Sequence, residues 1–473
     1  MASQSTRLER LRAYLETPIS IQSLVVVRIA FGLILAWDWW RYVNYERIER
    51  YYVITEFTFP FVPFAQPLPE PWIHILWGGV GLFGVMVAAG LFYRVSIVLL
   101  TVIFAYFFLL DRAQYLNHNY MVILYGILLA FMPANRAFSI DAWLFPRVKS
   151  TLIPRWPLTV LKTQTEIILI YAGIVKITDD WLRGEPLRLW LSDRGDDVFF
   201  GFLFQYEWAF IVASWGTVAL HIIGAPLLLW KRTRLAIFLV YAFFHWSNAQ
   251  LFNIGIFPWI TLALTTIFFA PDWPEQLWRR VTGKSRDGEG QVTSIPSEER
   301  TGFRLSTIGL MALTLWFAVQ IYVPQRQIFF NNLVGWTGDG HRFSWRMRIY
   351  ARVSEGTFRI VAPSGEEWIA DPYKLMSRRQ ARNVLARPDI TYMFAQQLEE
   401  IWAEGGHGDV AVYADVQVSL NGRPMQQFTD PTVDLTSVPW DWASPTSWIY
   451  AMEHRAADGT VPDWFPPLPL QRP

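Results

Sequence analysis

Nine apolar runs occupy the first two thirds of this chain. Most are long enough to cross a bilayer, and polar breaks separate them, although the breaks near 93–94 and 252–255 are tight. The pattern predicts a polytopic α-helical membrane protein with about nine transmembrane helices. The runs lie at 21–40, 72–92, 95–111, 119–133, 160–177, 207–230, 235–251, 256–270 and 305–323.

Lysine and arginine are distributed unevenly over the predicted loops. With the N-terminus inside, the inner segments hold 17 of them and the short outer loops hold 7. The positive-inside rule favours this orientation, and an odd number of spans then places everything after about residue 324 outside the cytoplasm. Residues 281–300 lack apolar periodicity, which is typical of a flexible loop.

The pattern changes after Pro324. FRIVAPSGEEWIADP and DVAVYADVQVSLNGRPMQQF alternate apolar and polar residues around Ser-Gly and Asn-Gly turns, which is typical of β-hairpins. The stretch between them is helical in pattern and is broken at Pro388. We therefore expect two domains: a transmembrane helical domain at 1–323, and at 324–473 a mixed α/β soluble domain that is β-rich with a helical insertion.

Composition supports the membrane assignment. The chain is 52% hydrophobic, and 17% of its residues are charged, against about 25% in an ordinary soluble domain. A net charge of +1 does not suggest a nucleic-acid partner, which would require a basic patch. The chain has no cysteine, so a disulfide framework, a thiolate catalyst and a Cys-ligated metal are excluded. No close set of metal ligands such as H-E-x-x-H occurs either.

One short motif is misleading. Gly79, Gly81 and Gly84 spell G-x-G-x-x-G, the dinucleotide fingerprint, but they lie inside an apolar run with no strand before them. Small residues that let two helices approach closely are the better explanation.

A single lysine, Lys176, ends the apolar run of QTEIILIYAGIVKITDDW. Removal from water disfavours the charged ammonium, so a neutral amine that can act as a base becomes accessible. The alternative is structural: a lysine at a helix end can reach the membrane interface or pair with Asp179 or Asp180.

Two further polar groups lie at predicted membrane boundaries. His118 stands between Asn117 and Asn119, and His245 and Asn248 are three residues apart, so they share a helix face. The predicted topology puts both groups and Lys176 near the outer boundary, as if they formed the wall of one pocket. A hydrogen-bonded structural histidine stays open as the alternative.

Five longer blocks resemble, in order, the signature blocks of vitamin K-dependent γ-glutamyl carboxylases and of their bacterial relatives with the horizontally transferred transmembrane domain. The resemblance runs from about residue 20 to residue 450. The blocks are YLNHNYMVILYGILLAFMPANRAFSIDAWL, IYAGIVKITDDWLRG, FHWSNAQLFNIGIF, WTGDGHRFSW and NGRPMQQFTDPTVDL.

The resemblance implies catalytic roles for three residues. In that family the lysine of the matching segment is the base that deprotonates vitamin K hydroquinone, and Lys176 occupies its position. The family's Asn-His pair falls on Asn117 and His118. Animal members carry two adjacent lysines, but here Val175 precedes Lys176, so one lysine remains for the role.

The resemblance also suggests substrate-binding residues. Arg326, just after the last apolar run, and His341, in WTGDGHRFSW, are candidates for holding a glutamate carboxylate, and Trp345 of the same block is a further binding candidate. An interfacial anchor or a fold-stabilising hydrogen bond is the alternative for Arg326 and His341.

The activity implied is oxidation of vitamin K hydroquinone by O2 to its epoxide, coupled to addition of CO2 to a peptide glutamate. The co-substrates would be a menaquinol- or phylloquinol-type hydroquinone, O2 and CO2, without a metal. The partners would be a glutamate-containing peptide or protein and membrane lipid, and the location a bacterial inner membrane. Two alternatives stay open: a hydroquinone epoxidase or oxygenase that carboxylates nothing, and a lipid-binding membrane protein or transporter.

Overall fold

The apolar runs form helices that pack around one large hydrophobic core and a smaller, separate hydrophobic cluster. A computed structural model describes residues 6–283, 305–329, 333–441 and 446–453. The flexible loop expected at 281–300 lies for the most part outside these residues.

The region before residue 330 is built from α-helices, a few short π- and 3-10 segments and two short β-strands. Consecutive helices pack side by side, and the core side chains Leu24, Val80, Leu100 and Leu129 are fully buried between them. The helices are α1 (Arg7–Leu15), α2 (Gln22–Asn44), α3 (Trp72–Ala89), α4 (Tyr93–Leu110), α5 (Asn117–Phe131), α6 (Ile140–Leu144), α7 (Trp156–Ile174), α8 (Asp179–Leu182), α9 (Leu187–Leu191), α10 (Glu207–Ala219), α11 (Ala225–Leu227), α12 (Arg234–Leu251), α13 (Phe257–Thr265), α14 (Trp273–Thr282) and α15 (Thr307–Gln325).

Five helical segments of the described chain are long and apolar enough to cross a membrane. The expectation of nine crossings is therefore not confirmed. α5 has 15 residues and the apolar helix at Phe257–Phe268 is also short, whereas a full crossing takes about 20. The five segments are Gln22–Asn44, Trp72–Ala89, Tyr93–Leu110, Glu207–Leu227 and Thr307–Gln325.

α2 and α3 approach each other through glycines. A Cβ atom at Gly84 would lie 2.9 Å from the carbonyl oxygen of Gly32, and one at Gly81 would meet the ring of Trp39. A larger side chain at either position would push the two helices apart. The helix-packing explanation of the G-x-G-x-x-G motif is confirmed for these two glycines.

The C-terminal region holds one antiparallel sheet with the strand order β4-β3-β5-β6. Both predicted hairpins are confirmed: the Ser-Gly turn joins β3 to β4, and the Asn-Gly turn joins β5 to β6. β3 pairs with β5 over ten residues, and the remaining two strands, β1 and β2, pair in the N-terminal region. The strands are β1 (Pro18–Ser20), β2 (Leu152–Pro154), β3 (Arg352–Val361), β4 (Glu367–Ala370), β5 (Ala411–Leu420) and β6 (Gln426–Gln427).

Helices cover one face of this sheet, so the described part of the region is mixed α/β. The expected β-rich character is not confirmed, because its described helices hold more residues than its strands. The predicted break in the helical stretch is confirmed, because α19 begins at Pro388. α19 packs on the sheet, and the centre of its Phe394 ring lies 4.8 Å from the centre of the Phe358 ring of β3. The helices here are α16 (Val334–Thr337), α17 (Pro372–Leu375), α18 (Arg378–Ala386) and α19 (Pro388–Glu404).

A buried carboxylate joins the C-terminal region to the helices. Asp389 accepts a hydrogen bond from Arg112 Nη1 at 3.2 Å and pairs with Arg342. Burial by itself would raise the pKa of Asp389, but the charges of Arg342 and Arg112 outweigh burial and hold this pKa below its ordinary value. Removing either arginine would leave a buried negative charge with one cation fewer.

Candidate functional site

A cavity of about 780 Å³ lies where the ends of α5, α7 and α12 meet the segment that precedes β3. This volume is in the range typical of sites for small molecules. Of the residues predicted from the sequence, the cavity is lined by Asn117, His118, Lys176, Asn248 and His341, whereas His245, Arg326 and Trp345 are not part of its lining.

Lys176 follows the end of α7 and is buried, with 4% of its surface exposed. Its Nζ donates a hydrogen bond to Ala172 O at 2.9 Å and lies 5.3 Å from the centre of the Trp181 ring. Asp180, one of the two carboxylates that could have paired with it, binds Arg423 and Asn421 instead. Lys176 is therefore neither a lysine that reaches the surface nor one half of an ion pair with Asp180.

Asn117 connects the start of α5 to the C-terminal region. Its Nδ2 donates to the carbonyl oxygen of Arg346 at 2.9 Å, and its Oδ1 accepts from the Tyr115 hydroxyl at 2.9 Å. The neighbouring His118 ring lies 6.2 Å from the ring of Phe257. The structure thus places this Asn-His pair and Lys176 on the wall of one cavity, as the sequence suggested.

His245 and Asn248 are separated by the packing of their helix. Asn248 lines the cavity while its Nδ2 donates to Phe244 O within α12 at 2.7 Å. His245 is 1% exposed, and the rings of Tyr241, Phe244 and Phe257 surround it. Neither of its ring nitrogens has a hydrogen-bond partner among the described residues.

Arg326 and Trp345 hold the chain in place beside the cavity. Arg326 Nη1 donates to Val323 O at 3.2 Å, and its Nη2 donates to Arg342 O. Trp345 is 1% exposed and stacks on Tyr120 with ring centres 5.3 Å apart. These contacts match the fold-stabilising alternative that the sequence left open for Arg326.

His341 faces the cavity in a fixed orientation. Its Nδ1 lies 2.7 Å from Gly338 O, and since a carbonyl oxygen can only accept, Nδ1 carries the hydrogen. Burial, with the charges of Arg387 and Arg342 added, holds the pKa of His341 well below its ordinary value. The ring is thus neutral with Nε2 as an acceptor, which suits a hydroxyl better than a carboxylate.

The charge of the cavity wall is strongly positive. Among the described residues that line it are eight arginines and Lys176, but one carboxylate, Asp38, which pairs with Arg41 at 3.0 Å. Such a wall attracts anions, and its arginines offer planar, bidentate donors for carboxylates. The lining arginines are Arg41, Arg47, Arg112, Arg342, Arg346, Arg348, Arg379 and Arg387.

Two residues of the cavity lining that bear on the chemistry, Arg346 and His221, were not predicted from the sequence. Arg346 lies in WRMRIY, directly after the block that contains His341, and its field reaches Lys176. His221 lies inside the apolar run at 207–230, where an ionisable residue is itself a functional signal. Both signals were present in the sequence, but neither residue belongs to the blocks that carried the resemblance.

Much of the remaining wall is apolar and aromatic, which fits an aromatic ring with polar substituents and a lipid tail. No metal ligand cluster of the described chain is part of this wall. The carboxylates of Glu49 and Glu70 and the ring of His74 place donor atoms within 4.8 Å of one another, but none of these residues lines the cavity. The aromatic wall is formed by Phe200, Phe204, Phe243, Phe244, Phe252 and Phe257.

Family models match most of the chain. The model of the HTTM domain matches residues 16–273, and the model described as the lumenal domain of vitamin K-dependent gamma-carboxylase matches residues 305–455. No solved structure matches the chain.

Proposed function

The chain belongs to the vitamin K-dependent γ-glutamyl carboxylase family, and we propose that it is a membrane-embedded carboxylase that couples epoxidation of a vitamin K-type hydroquinone to CO2 addition at a peptide glutamate. The bound hydroquinone, through its oxidation by O2, supplies the driving force for removing the weakly acidic proton of the glutamate γ-carbon. The observation that carries the proposal is a buried lysine, without a carboxylate partner among the described residues, on the wall of a cavity that also has an aromatic side.

Lys176 serves as the base that starts the reaction. Its burial disfavours the ammonium form, and the positive field of Arg346 acts in the same direction, so the amine can take a proton at Nζ from a ring hydroxyl. The hydrogen bond to Ala172 O orients Nζ, and the Trp181 ring stabilises the cation formed when the proton arrives.

Asn117 and His118, at the start of α5, orient the ring of the hydroquinone. Asn117 is fixed by Tyr115 and by the Arg346 carbonyl, so the start of α5 keeps a constant position relative to the C-terminal domain. His118 then presents its ring to the cavity beside Phe257, where it can bind a ring oxygen.

Arginines of the segment before β3 receive the glutamate carboxylate. Arg346 has two properties that Arg326 lacks. Arg346 lines the cavity, and its positive charge acts on Lys176. Arg342 pairs with the buried Asp389, Arg326 donates to backbone carbonyls, and Arg346 Nη1 donates to the Tyr350 hydroxyl. Because Arg346 lines the cavity and acts on Lys176, we place the carboxylate on it, and we assign the neutral His341 to accept a hydrogen bond from a hydroxyl in the same cavity.

Exclusion of water follows from the aromatic wall. A strongly basic species formed in the cavity would be quenched by bulk water, and rings such as Phe243 and Phe244 cover their part of the wall with a surface to which water cannot hydrogen-bond. The same rings provide the apolar environment that a lipid-soluble quinone requires.

The membrane arrangement forms part of the proposal. Nine crossings with the N-terminus inside put the C-terminal domain, residues 324–473, on the outer side of a bacterial cell membrane. The transmembrane domain, residues 1–323, then opens its cavity toward that domain, from which a peptide glutamate can be presented.

The decisive experiment combines two measurements on purified protein in lipid nanodiscs. The hydroquinone of a short-chain menaquinone, O2, a glutamate peptide and isotopically labelled CO2 are supplied together. We expect labelled γ-carboxyglutamate and quinone epoxide. Epoxide without labelled peptide would favour the epoxidase alternative, and no quinone consumption would contradict the proposed enzyme and favour a transporter or lipid-binding protein.

A further inference from the structure

His221 is an ionisable residue inside the apolar segment Glu207–Leu227, and it lines the same cavity as Lys176. It belongs to the π-helical turn Leu220–Gly224, and 4% of its surface is exposed. π-helical turns inside α-helices occur frequently at functional sites.

The close approach of this turn to α7 depends on Gly173. A Cβ atom at Gly173 would lie 2.8 Å from the Cβ of His221 and 2.7 Å from Ile222 Cγ1, so a larger residue there would push the turn away. Gly173 is three residues before Lys176, and Lys176 N donates to its carbonyl oxygen at 3.0 Å. His221 is therefore packed against the last turn of the helix that carries the base.

The hydrogen bonding of His221 fixes which nitrogen carries the proton. Nδ1 lies 2.8 Å from Thr217 O, which can only accept, so Nδ1 is the donor and Nε2 of the neutral ring is an acceptor. The rings of Tyr241 and Phe244 meet the imidazole edge to face, at 5.8 and 5.3 Å between centres. Among the described residues, none binds Nε2, so its lone pair is available to a molecule in the cavity.

We propose that His221 is a further binding residue for the hydroquinone, whose ring hydroxyl donates a hydrogen bond to Nε2. The inference rests on the proposed function. His221 would add selectivity for the reduced form, which Lys176 alone does not supply. The hydroquinone ring has O–H donors, whereas the oxidised quinone has only carbonyl acceptors. A quinone oxygen would face the Nε2 lone pair, so this contact selects the reduced form.

A purely structural His221 would need only the Nδ1 bond to Thr217, which ties the π-helical turn to the preceding turn. Two substitutions separate the roles. His221→Asn keeps an N–H donor close to the Nδ1 position but loses the acceptor farther out. His221→Gln places its amide close to the Nε2 position and can restore that acceptor.

The test is anaerobic binding, without turnover, of a short-chain menaquinone and of its hydroquinone to the full chain in nanodiscs, measured by calorimetry. In His221→Asn we expect hydroquinone affinity to fall roughly five- to tenfold, as for one lost hydrogen bond, while quinone affinity is unchanged. His221→Gln should recover most of the hydroquinone affinity. Ile223→Ala is the matched control, since Ile223 lies in the same turn and is 61% exposed.

Equal losses for both redox forms in His221→Asn, or no loss in either, would overturn the assignment and leave the proposed function standing. Binding of neither form by the unaltered chain would remove the assignment together with the proposed function. Circular dichroism and thermal unfolding of each variant identify a loss of affinity that comes from misfolding, and His221→Gln then decides the question.

Discussion

Arg423 of the C-terminal region forms a bidentate salt bridge with Asp180. Its Nη1 donates to Oδ2 and its Nη2 donates to Oδ1, each at 2.7 Å. Asn421 Nδ2 adds a third bond to Oδ2 at 2.7 Å. Asp180 is four residues after Lys176 and precedes Trp181, whose ring lies beside the lysine. The Asn-Gly turn of the C-terminal domain thus fixes the segment that follows the base.

If this contact positions Lys176, Asp180→Asn and Arg423→Lys should each lower kcat for epoxide formation clearly, whereas each should lower the thermal unfolding midpoint only slightly. Lysine keeps the positive charge of Arg423 but cannot form the bidentate salt bridge. The double variant should be little worse than either single one, with an interaction free energy of roughly 0.5–3 kcal/mol.

Asp179→Asn is the matched control for this prediction, because Asp179 is the adjacent carboxylate and its side chain is exposed. Rates that are equal in Asp179→Asn and Asp180→Asn would show that the contact only stabilises the fold.

Substitution of the base should abolish both halves of the reaction together. Lys176→Ala is expected to remain folded and to bind quinone, while epoxide formation and carboxylation both fall roughly 10²- to 10⁴-fold, the usual contribution of a general base. A small exogenous amine should restore part of the turnover, and the rescue should follow the free-base fraction of the amine as pH rises. Near-normal epoxide formation by Lys176→Arg would refute the role, since arginine stays charged.

Substitutions in the Asn-His pair should impair epoxide formation more than they impair peptide binding. His118→Ala is expected to depress epoxide formation, with little change in KM for the glutamate peptide, because its ring faces the cavity beside Phe257. Asn119→Ala is the matched control on the same turn, outside the cavity lining. A parallel loss of epoxidation and peptide binding, or loss of folded protein, would favour the structural histidine instead.

Arg346 should determine affinity for the peptide carboxylate. Arg346→Gln is expected to raise KM for a glutamate peptide roughly ten- to hundredfold, the usual value of a hydrogen bond to a charged group, and to spare the contact that the Arg346 carbonyl makes with Asn117. Arg359→Gln is a control at a half-exposed arginine of β3 that pairs with Glu367 and lies outside the cavity lining. An unchanged KM in Arg346→Gln, with a raised KM in Arg326→Gln, would return the role to Arg326.

The membrane orientation can be mapped in this cysteine-free chain without background labelling. A cysteine introduced at Ser364, in the exposed turn between β3 and β4, should react with a membrane-impermeant thiol reagent in intact cells. A cysteine at Lys231, in the exposed turn between α11 and α12, should react only after the membrane is opened. The reverse pattern would overturn the predicted topology.

The sequence by itself determined the features that depend on neighbours along the chain. Apolar runs longer than a turn specified the helices, the Ser-Gly and Asn-Gly turns specified both hairpins, and Pro388 specified the start of α19. The placement of Lys176 at the end of an apolar helix is equally local. These features follow from backbone geometry and hydrophobic periodicity, which a short window contains.

The tertiary structure decided which faces of the helices meet. His245 and Asn248 share a helix face in the sequence, but packing of Phe257 over α12 encloses the histidine and leaves the asparagine at the cavity. His221 reaches the cavity because Gly173, on another helix, leaves room for its turn. Arg423 meets Asp180 across 243 positions. Contacts of this kind depend on how distant segments pack, and no local pattern of residues encodes them.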